Sequence, residues 1–326
     1  RFSIINGRLN NSTIELEEYF DYEYYGSYSY KFNKDNYFNI FSVLSGIPLI
    51  GESLSKIRLY YSPDEVNTAA KLEEYDKINV QRANPEKPTL TYTLNMDREY
   101  DVKYKITNSI ITRYKRIIKS NYDIYKNNKI DFIKDFDPGL IKEVKETFTN
   151  SYTPDYLDWL SPKITYNPIY TWSLVNAGDE ISTANLTSKS PLGIDFKLKL
   201  KDLIKKIYNP QKEHSKLMTY SLGNLYSLAS SFSNGISISY DNTRTNNYDD
   251  VSALDKQDYW YRMGLADRSS GELNYGSNYE SENKIENELT ISTTFKLTNK
   301  YIINGIKYLS TSEYIRNSNQ SDQNII

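Results

Sequence analysis

Cysteine is absent from this 326-residue chain, and histidine occurs once, at His214. Those two shortages exclude disulfide frameworks, thiolate zinc sites, cysteine nucleophiles and multi-histidine metal centres. They leave the compartment open, because a cysteine-free chain suits an oxidising space such as the periplasm but is also common in the cytosol. Long apolar runs are missing too. No stretch approaches the roughly eighteen consecutive apolar residues of a membrane-spanning helix, and mean hydropathy is -0.67. A β-barrel stays open, since its strands cross with about ten alternating residues. An excess of charge of one sign is the last absence: 40 basic and 42 acidic side chains leave -2, without the basic footprint of a dedicated nucleic-acid binder.

What is abundant is tyrosine, with 32 Tyr against 11 Phe and 3 Trp. Its ring is apolar and its tip polar, so it suits surfaces that are greasy at one end and wet at the other, and it favours strands. A water-facing sheet, a carbohydrate-binding surface and the interfacial belts of an outer-membrane barrel all fit.

Period-two alternation dominates the first third. From Ile14 to Phe32 the even positions are largely aromatic and the odd ones hydrophilic, which places the two sets on opposite faces of a strand. From Leu90 to Ile110 the even face carries Leu90, Tyr92, Leu94, Met96, Tyr100, Val102, Tyr104 and Ile106, interrupted by Arg98 and Asn108, while Asp97, Glu99, Asp101, Lys103 and Lys105 share the odd face. A helix would scatter those charges, so a strand is expected. Further strands are expected at Ile164 to Leu174, where Pro168 requires an edge, a bulge or a strand end, at Phe232 to Tyr240, and from Leu289 to Leu297. A change of apolar phase places a hairpin turn around Asn304-Gly305.

Two stretches leave this period. Phe38 to Ile57 reads as a short helix followed by a turn at Gly46-Ile47-Pro48. Leu200, Leu203, Ile204 and Ile207, with Lys201, Lys205 and Lys206 opposite, form a basic amphipathic helix that ends at Asn209-Pro210, and such a stripe packs on protein more often than on a membrane surface. The polar segments Asp64 to Pro88, Asn127 to Thr153, Asn242 to Lys256 and Asp267 to Lys284 read as long loops or plugs between strands. Arg1 in place of Met, with no charged-then-apolar leader, reads as an internal or processed segment.

None of the candidate chemistry outweighs its simpler reading. Asp97, Glu99 and Asp101 share a strand face as glycosidase carboxylates do, but Lys103 and Lys105 continue the stripe, and mixed charge is what a wet surface requires. His214 has no G-x-S-x-G elbow to serve, and neither dinucleotide nor Walker fingerprints occur. The Asn- and Asp-rich stretch Asp241 to Asp250 lacks the central glycine and closing glutamate of a calcium loop. Arg113, Lys115, Arg116 and Lys119, with Tyr114 and Tyr122, mix base and ring as single-strand binders do, but without a global basic excess they read as a strand end or headgroup-facing turn. No enzyme, cofactor or metal site is expected.

Several blocks in order resemble the SprA/Sov family. They are Phe38-Asn39-Ile40-Phe41-Ser42, Gly46-Ile47-Pro48-Leu49, Tyr61-Ser62-Pro63, the run Asp97 to Tyr104, Ile106-Thr107-Asn108-Ser109, Tyr156-Leu157-Asp158-Trp159-Leu160, Ile207-Tyr208-Asn209-Pro210 and Tyr261-Arg262-Met263-Gly264-Leu265. Members of that family are the very large outer-membrane translocons of the type IX secretion system, linked also to gliding motility, and are several times longer than this chain. The resemblance implies an all-β, predominantly antiparallel fold: residues 1–326 as one region, an internal slice of a large transmembrane barrel with one or two short amphipathic helices and long loops. It implies a cell-surface conduit in the bacterial outer membrane, with secreted cargo proteins, plug and shuttle or gating proteins and outer-membrane lipid as partners, and no nucleic acid. Asp97, Glu99, Asp101, Lys103 and Lys105 are then the candidate lumen-facing residues, and Tyr92, Tyr100, Tyr104 and Trp172 the candidate lipid- or plug-facing aromatics. A porin or receptor barrel, and a secreted Tyr-rich sheet that stacks on carbohydrate, are the alternatives.

Overall fold

The computed structural model describes residues 2–6, 15–33, 36–46, 55–81, 87, 89–126, 134, 137–154, 157, 159–177, 182–208, 216–253, 257–266, 275–296 and 302–318. The chain is mostly antiparallel β-sheet. Its strands are β1 (Phe2–Asn6), β2 (Glu15–Lys31), β3 (Tyr37–Phe38), β4 (Leu59–Tyr60), β5 (Glu65–Gln81), β6 (Thr89–Lys105) and β7 (Ile110–Asn121). They continue as β8 (Leu140–Tyr152), β9 (Lys163–Tyr166), β10 (Ile169–Ala177), β11 (Ser182–Leu198), β12 (Phe232–Ser252), β13 (Tyr275–Lys296) and β14 (Ile302–Ser318). Twelve of them form one meandering sheet in the order β1-β2-β5-β6-β7-β8-β10-β11-β12-β13-β14, with β9 between β8 and β11; β3 and β4 pair separately.

β9 and β10 are one strand broken at Asn167-Pro168. Tyr166 faces Asn150 and Leu192, Ile169 faces Thr147 and Lys189, and the count across the break is equal on both sides, so register survives it. Proline has no N–H to donate, and neighbouring groups complete the ladder: Phe148 N donates to Pro168 O at 2.9 Å, and Asn150 N donates to the Asn167 side chain at 3.2 Å. Pro168 thus sits at a strand end, as its chemistry requires.

Directly paired residues share a face. Tyr28, Thr68, Tyr100, Arg116, Glu146, Tyr170, Ser188 and Asn246 form one such row across eight strands. Three tyrosines and five polar or charged residues make up this row, on a face where tyrosine and aliphatic residues are interspersed with polar and charged ones. The opposite face is laced with charge: Lys115–Glu99 at 2.8 Å, Lys119–Glu143 at 2.9 Å, and Lys71 to Glu23 at 3.3 Å and Glu73 at 2.5 Å. Burial is sparse and local. One cluster gathers Tyr170, Leu186, Tyr248, Val251 and Tyr261 with Trp172, the other Leu94 and Tyr122 with Leu72, Tyr92, Met96 and Tyr125. Along β2, Asp21 to Lys31 is exposed on both faces.

The helical elements are a 3-10 helix (Ile40–Gly46), α1 (Leu200–Ile207), α2 (Lys216–Ser231) and a single turn α3 (Tyr259–Arg262). The helix expected before Gly46 and the one around Leu200 are present. α2 was not anticipated, because its leucines are diluted by Ser, Asn and Gly.

Four expectations are corrected. The supposed loops Asp64 to Pro88, Asn127 to Thr153, Asn242 to Lys256 and Asp267 to Lys284 contain β5, β8, the second half of β12 and the first half of β13; they look like loops because charged or amide side chains occupy both faces, while backbone pairing on each side holds them extended. Asn304 and Gly305 lie inside β14, opposite Thr294 and Thr293, rather than in a turn. The Leu90 to Ile110 strand ends at Lys105; alternation runs on through a tight turn in which Thr107 Oγ1 accepts from the N–H groups of Ser109 and Ile110. The basic run Arg113 to Lys119 lies within β7 rather than at a strand end, with Arg116 on the aromatic face and Arg113, Lys115 and Lys119 on the charged one. His214 lies outside the described residues.

Candidate functional site

Gln257 to Ala266 forms a strap across the aromatic face. α3 is capped by the Asp258 side chain, which accepts from Trp260 N at 3.5 Å. The strap then turns through Gly264 at φ 68°. A Cβ there would lie 2.4 Å from the Ser190 Cβ, so only glycine lets the strap lie flush on β11. Three hydrogen bonds moor its backbone and ring to the sheet: Tyr166 Oη to Met263 O at 2.7 Å, Ser188 Oγ to Tyr261 O at 3.0 Å, and Tyr261 Oη to Asn246 O at 3.3 Å. The Tyr261 ring is fully buried, edge-on to Tyr170 with centroids 6.2 Å apart and tilted against Tyr248 at 5.9 Å.

Beside that ring Arg262 clamps Glu146 of β8. Arg262 Nε donates to Glu146 Oε2 at 2.7 Å, Nη2 contacts both carboxylate oxygens, and Glu146 is 1% exposed. Tyr114 Oη donates to Oε1 at 3.0 Å, and Arg116 Nε lies 3.4 Å from the same oxygen. Arg262 also stands over the Tyr170 ring at 5.9 Å. A carboxylate this deep survives only by pairing and hydrogen bonding, and Glu146 has both. Its lone pairs are engaged, which makes it an anchor for the strap.

Next to the clamp is a cavity of about 660 Å³. Leu140, Ile141, Val144, Trp172 and Leu174 are among its apolar lining residues, and Arg116, Arg262 and Gln257 among its polar ones. Among the described residues there is no group of three or more His, Asp or Glu that could hold a metal ion.

The five residues expected to face a lumen do share one face of β6. Asp101 is buried and gripped by Arg113, with Nε to Oδ1 at 2.8 Å and Nη2 to Oδ2 at 2.6 Å. Glu99 pairs with Lys115, Asp97 stands opposite Lys71 and Lys119, Lys103 stands opposite Glu65 and Arg113, and Lys105 reaches the Tyr60 ring at 5.1 Å. The four aromatics lie on the other face but do not gather. Tyr92 sits by Leu94 with Lys126 over its ring at 4.5 Å, Tyr100 is 44% exposed, Tyr104 Oη donates to Tyr60 O at 2.6 Å, and Trp172 joins the cluster under the strap.

Sequence reasoning missed Glu146 and Gln257 and misplaced Arg116. A signal existed: Glu146 between Val144 and Phe148, and Arg116 between Tyr114 and Ile118, put opposite charges on the apolar faces of adjacent strands. It went unread because β8 was hidden in a presumed loop. Searches with the sequence find no matching family model and no matching curated protein.

Proposed function

We propose that this chain is a section of an outer-membrane protein-secretion translocon of the SprA/Sov type, acting as a passive conduit rather than an enzyme. The observation that carries the reading is the two-faced sheet: one meander with a mixed-charge lattice on one side and, on the other, tyrosine and aliphatic residues interspersed with polar and charged ones such as Glu74, Arg98, Arg116 and Glu146. β2, β5, β6 and β11 run 17 residues, β12 21 and β13 22. About 9–11 residues cross a bilayer, so such strands reach beyond it. In this reading Asp97, Glu99, Asp101, Lys103 and Lys105 line a wet lumen, and Tyr92, Tyr100 and Tyr104 turn toward lipid. Trp172 turns toward a packed element, the strap. Cargo proteins pass the charged side; plug, shuttle or gating proteins and lipid are the remaining partners.

Residues 1–326 contain no cysteine, so single-cysteine labelling within them tests the assignment, any cysteine elsewhere in a longer native chain being replaced first. In cells with a permeabilised outer membrane, Glu99→Cys is expected to react with a membrane-impermeant maleimide, and Tyr100→Cys to resist it until detergent is added. Recovery of the native protein in the soluble fraction, or the reverse labelling pattern, overturns the reading. A second reading, a secreted sheet that stacks on carbohydrate, draws on the exposed Tyr22, Tyr24, Tyr28 and Tyr30 of β2; it predicts that both positions label in a soluble protein.

A further inference from the structure

The cavity beside the strap joins apolar and polar lining groups in a combination that selects a ligand. Its size falls within the ~300–1,000 Å³ of small-ligand sites. In its lining, both the Nε2 and the Oε1 of Gln257 are buried without a hydrogen-bond partner. A buried amide left this way costs free energy on both its donor and its acceptor side. An occupant that relieves it must therefore offer an acceptor and a donor together.

The charges narrow the choice. Arg262 and Glu146 neutralise each other through their two-point contact. Arg116 is left as a surplus cation: its Nε is buried, lies within ion-pair range of Glu146 and lacks a hydrogen-bond partner, while its side chain is 40% exposed. The site thus carries one net positive charge above an apolar wall. A fatty acid would satisfy the charge and the wall but leave Gln257 Oε1 without a donor. A neutral hydrocarbon would satisfy only the wall.

We infer that the cavity binds the C-terminal residue of a peptide with an apolar side chain: its carboxylate meets Arg116 and Gln257 Nε2, its amide N–H donates to Gln257 Oε1, and its side chain lies among Val144, Trp172 and Leu174. The assignment stands on this cavity alone, whether or not the sheet is a barrel wall.

The test is equilibrium dialysis of the full chain against labelled N-acetyl-phenylalanyl-leucine, its C-terminal amide, and laurate. The free acid is expected to bind saturably at one site, and the amide about tenfold or more weakly, as loss of a charge-assisted hydrogen bond implies. Gln257→Leu is expected to lose the peptide while melting at the same or a higher temperature, because it removes an unsatisfied buried amide. Leu174→Trp, which fills the wall, is expected to lose it too. The assignment is overturned by absence of saturable peptide binding, by laurate binding as tightly as the peptide, by equal affinity for acid and amide, or by unchanged affinity in Gln257→Leu.

Discussion

Glu146 and Arg262 illustrate how a buried pair constrains substitution. Taking away one partner strands the other's charge at a position with 1% exposure, which typically costs ~3–5 kcal/mol, whereas replacing both by apolar residues of similar size is often near neutral. Arg262→Leu is therefore expected to lower the melting temperature sharply, and Glu146→Leu/Arg262→Leu to recover most of the loss; a thermal melt of the three proteins decides it. Gly264→Ala is expected to lift the strap without touching the clamp, since the positive φ and the Ser190 contact both resist a Cβ; increased amide exchange at Met263 to Ala266 is the readout. Asp137 gives the pH case. The Tyr125 hydroxyl donates to its carboxylate, Gly139 N donates at 2.9 Å, and these bonds hold the carboxyl below the usual aspartate range. A lowered folded value means that the stabilisation is present above the ordinary aspartate pKa of about 3.9 and is lost as pH falls through the folded value. The stability gap between the native chain and Asp137→Asn is expected to be constant at neutral pH and to close only in acid, which a pair of pH-dependent melts measures.

Strands were legible wherever the two faces differed in chemistry, as in β2 and β6, where aromatic and charged positions alternate. They were illegible where both faces carried polar groups. β5 has Glu74 and Asp76 on the aromatic side and Lys71 and Glu73 on the other, so no period stands out, and its extension comes from ladders to β2 and β6 on either side. Thr68→Pro is the discriminating substitution. In a loop it would be tolerated; inside β5, with partners on both edges, it removes a ladder donor, and protease cleavage within residues 65–81 is expected to rise. The site was legible only in part for a similar reason. The block Tyr261 to Leu265 stood out as sequence, but its role depends on Glu146, 116 residues away, and spacing along a chain does not report contacts across a sheet.

At the scale of the whole molecule the sheet has two ends, β1 and β14, and among the described residues they do not pair with each other. β1 covers Leu16 to Phe20 of β2, and among the described residues no strand pairs with Tyr22 to Lys31 on that side. Open edges template association. The isolated chain is expected to form concentration-dependent oligomers in size-exclusion chromatography, and more so at higher salt, where the repulsion between like charges on approaching copies is screened.

The alternation of sign on the charged face carries a consequence for anything that travels along it. Neighbouring strands lie about 4.8 Å apart, so acid and base in pairs such as Lys115–Glu99 and Lys119–Glu143 alternate over a distance shorter than the ~8 Å screening length of physiological salt. The fields of adjacent opposite charges cancel within roughly that spacing, and a passing chain a water layer or two away senses almost no net pull. In the proposed conduit, such a wall would bind cargo only weakly: it holds its charges for itself.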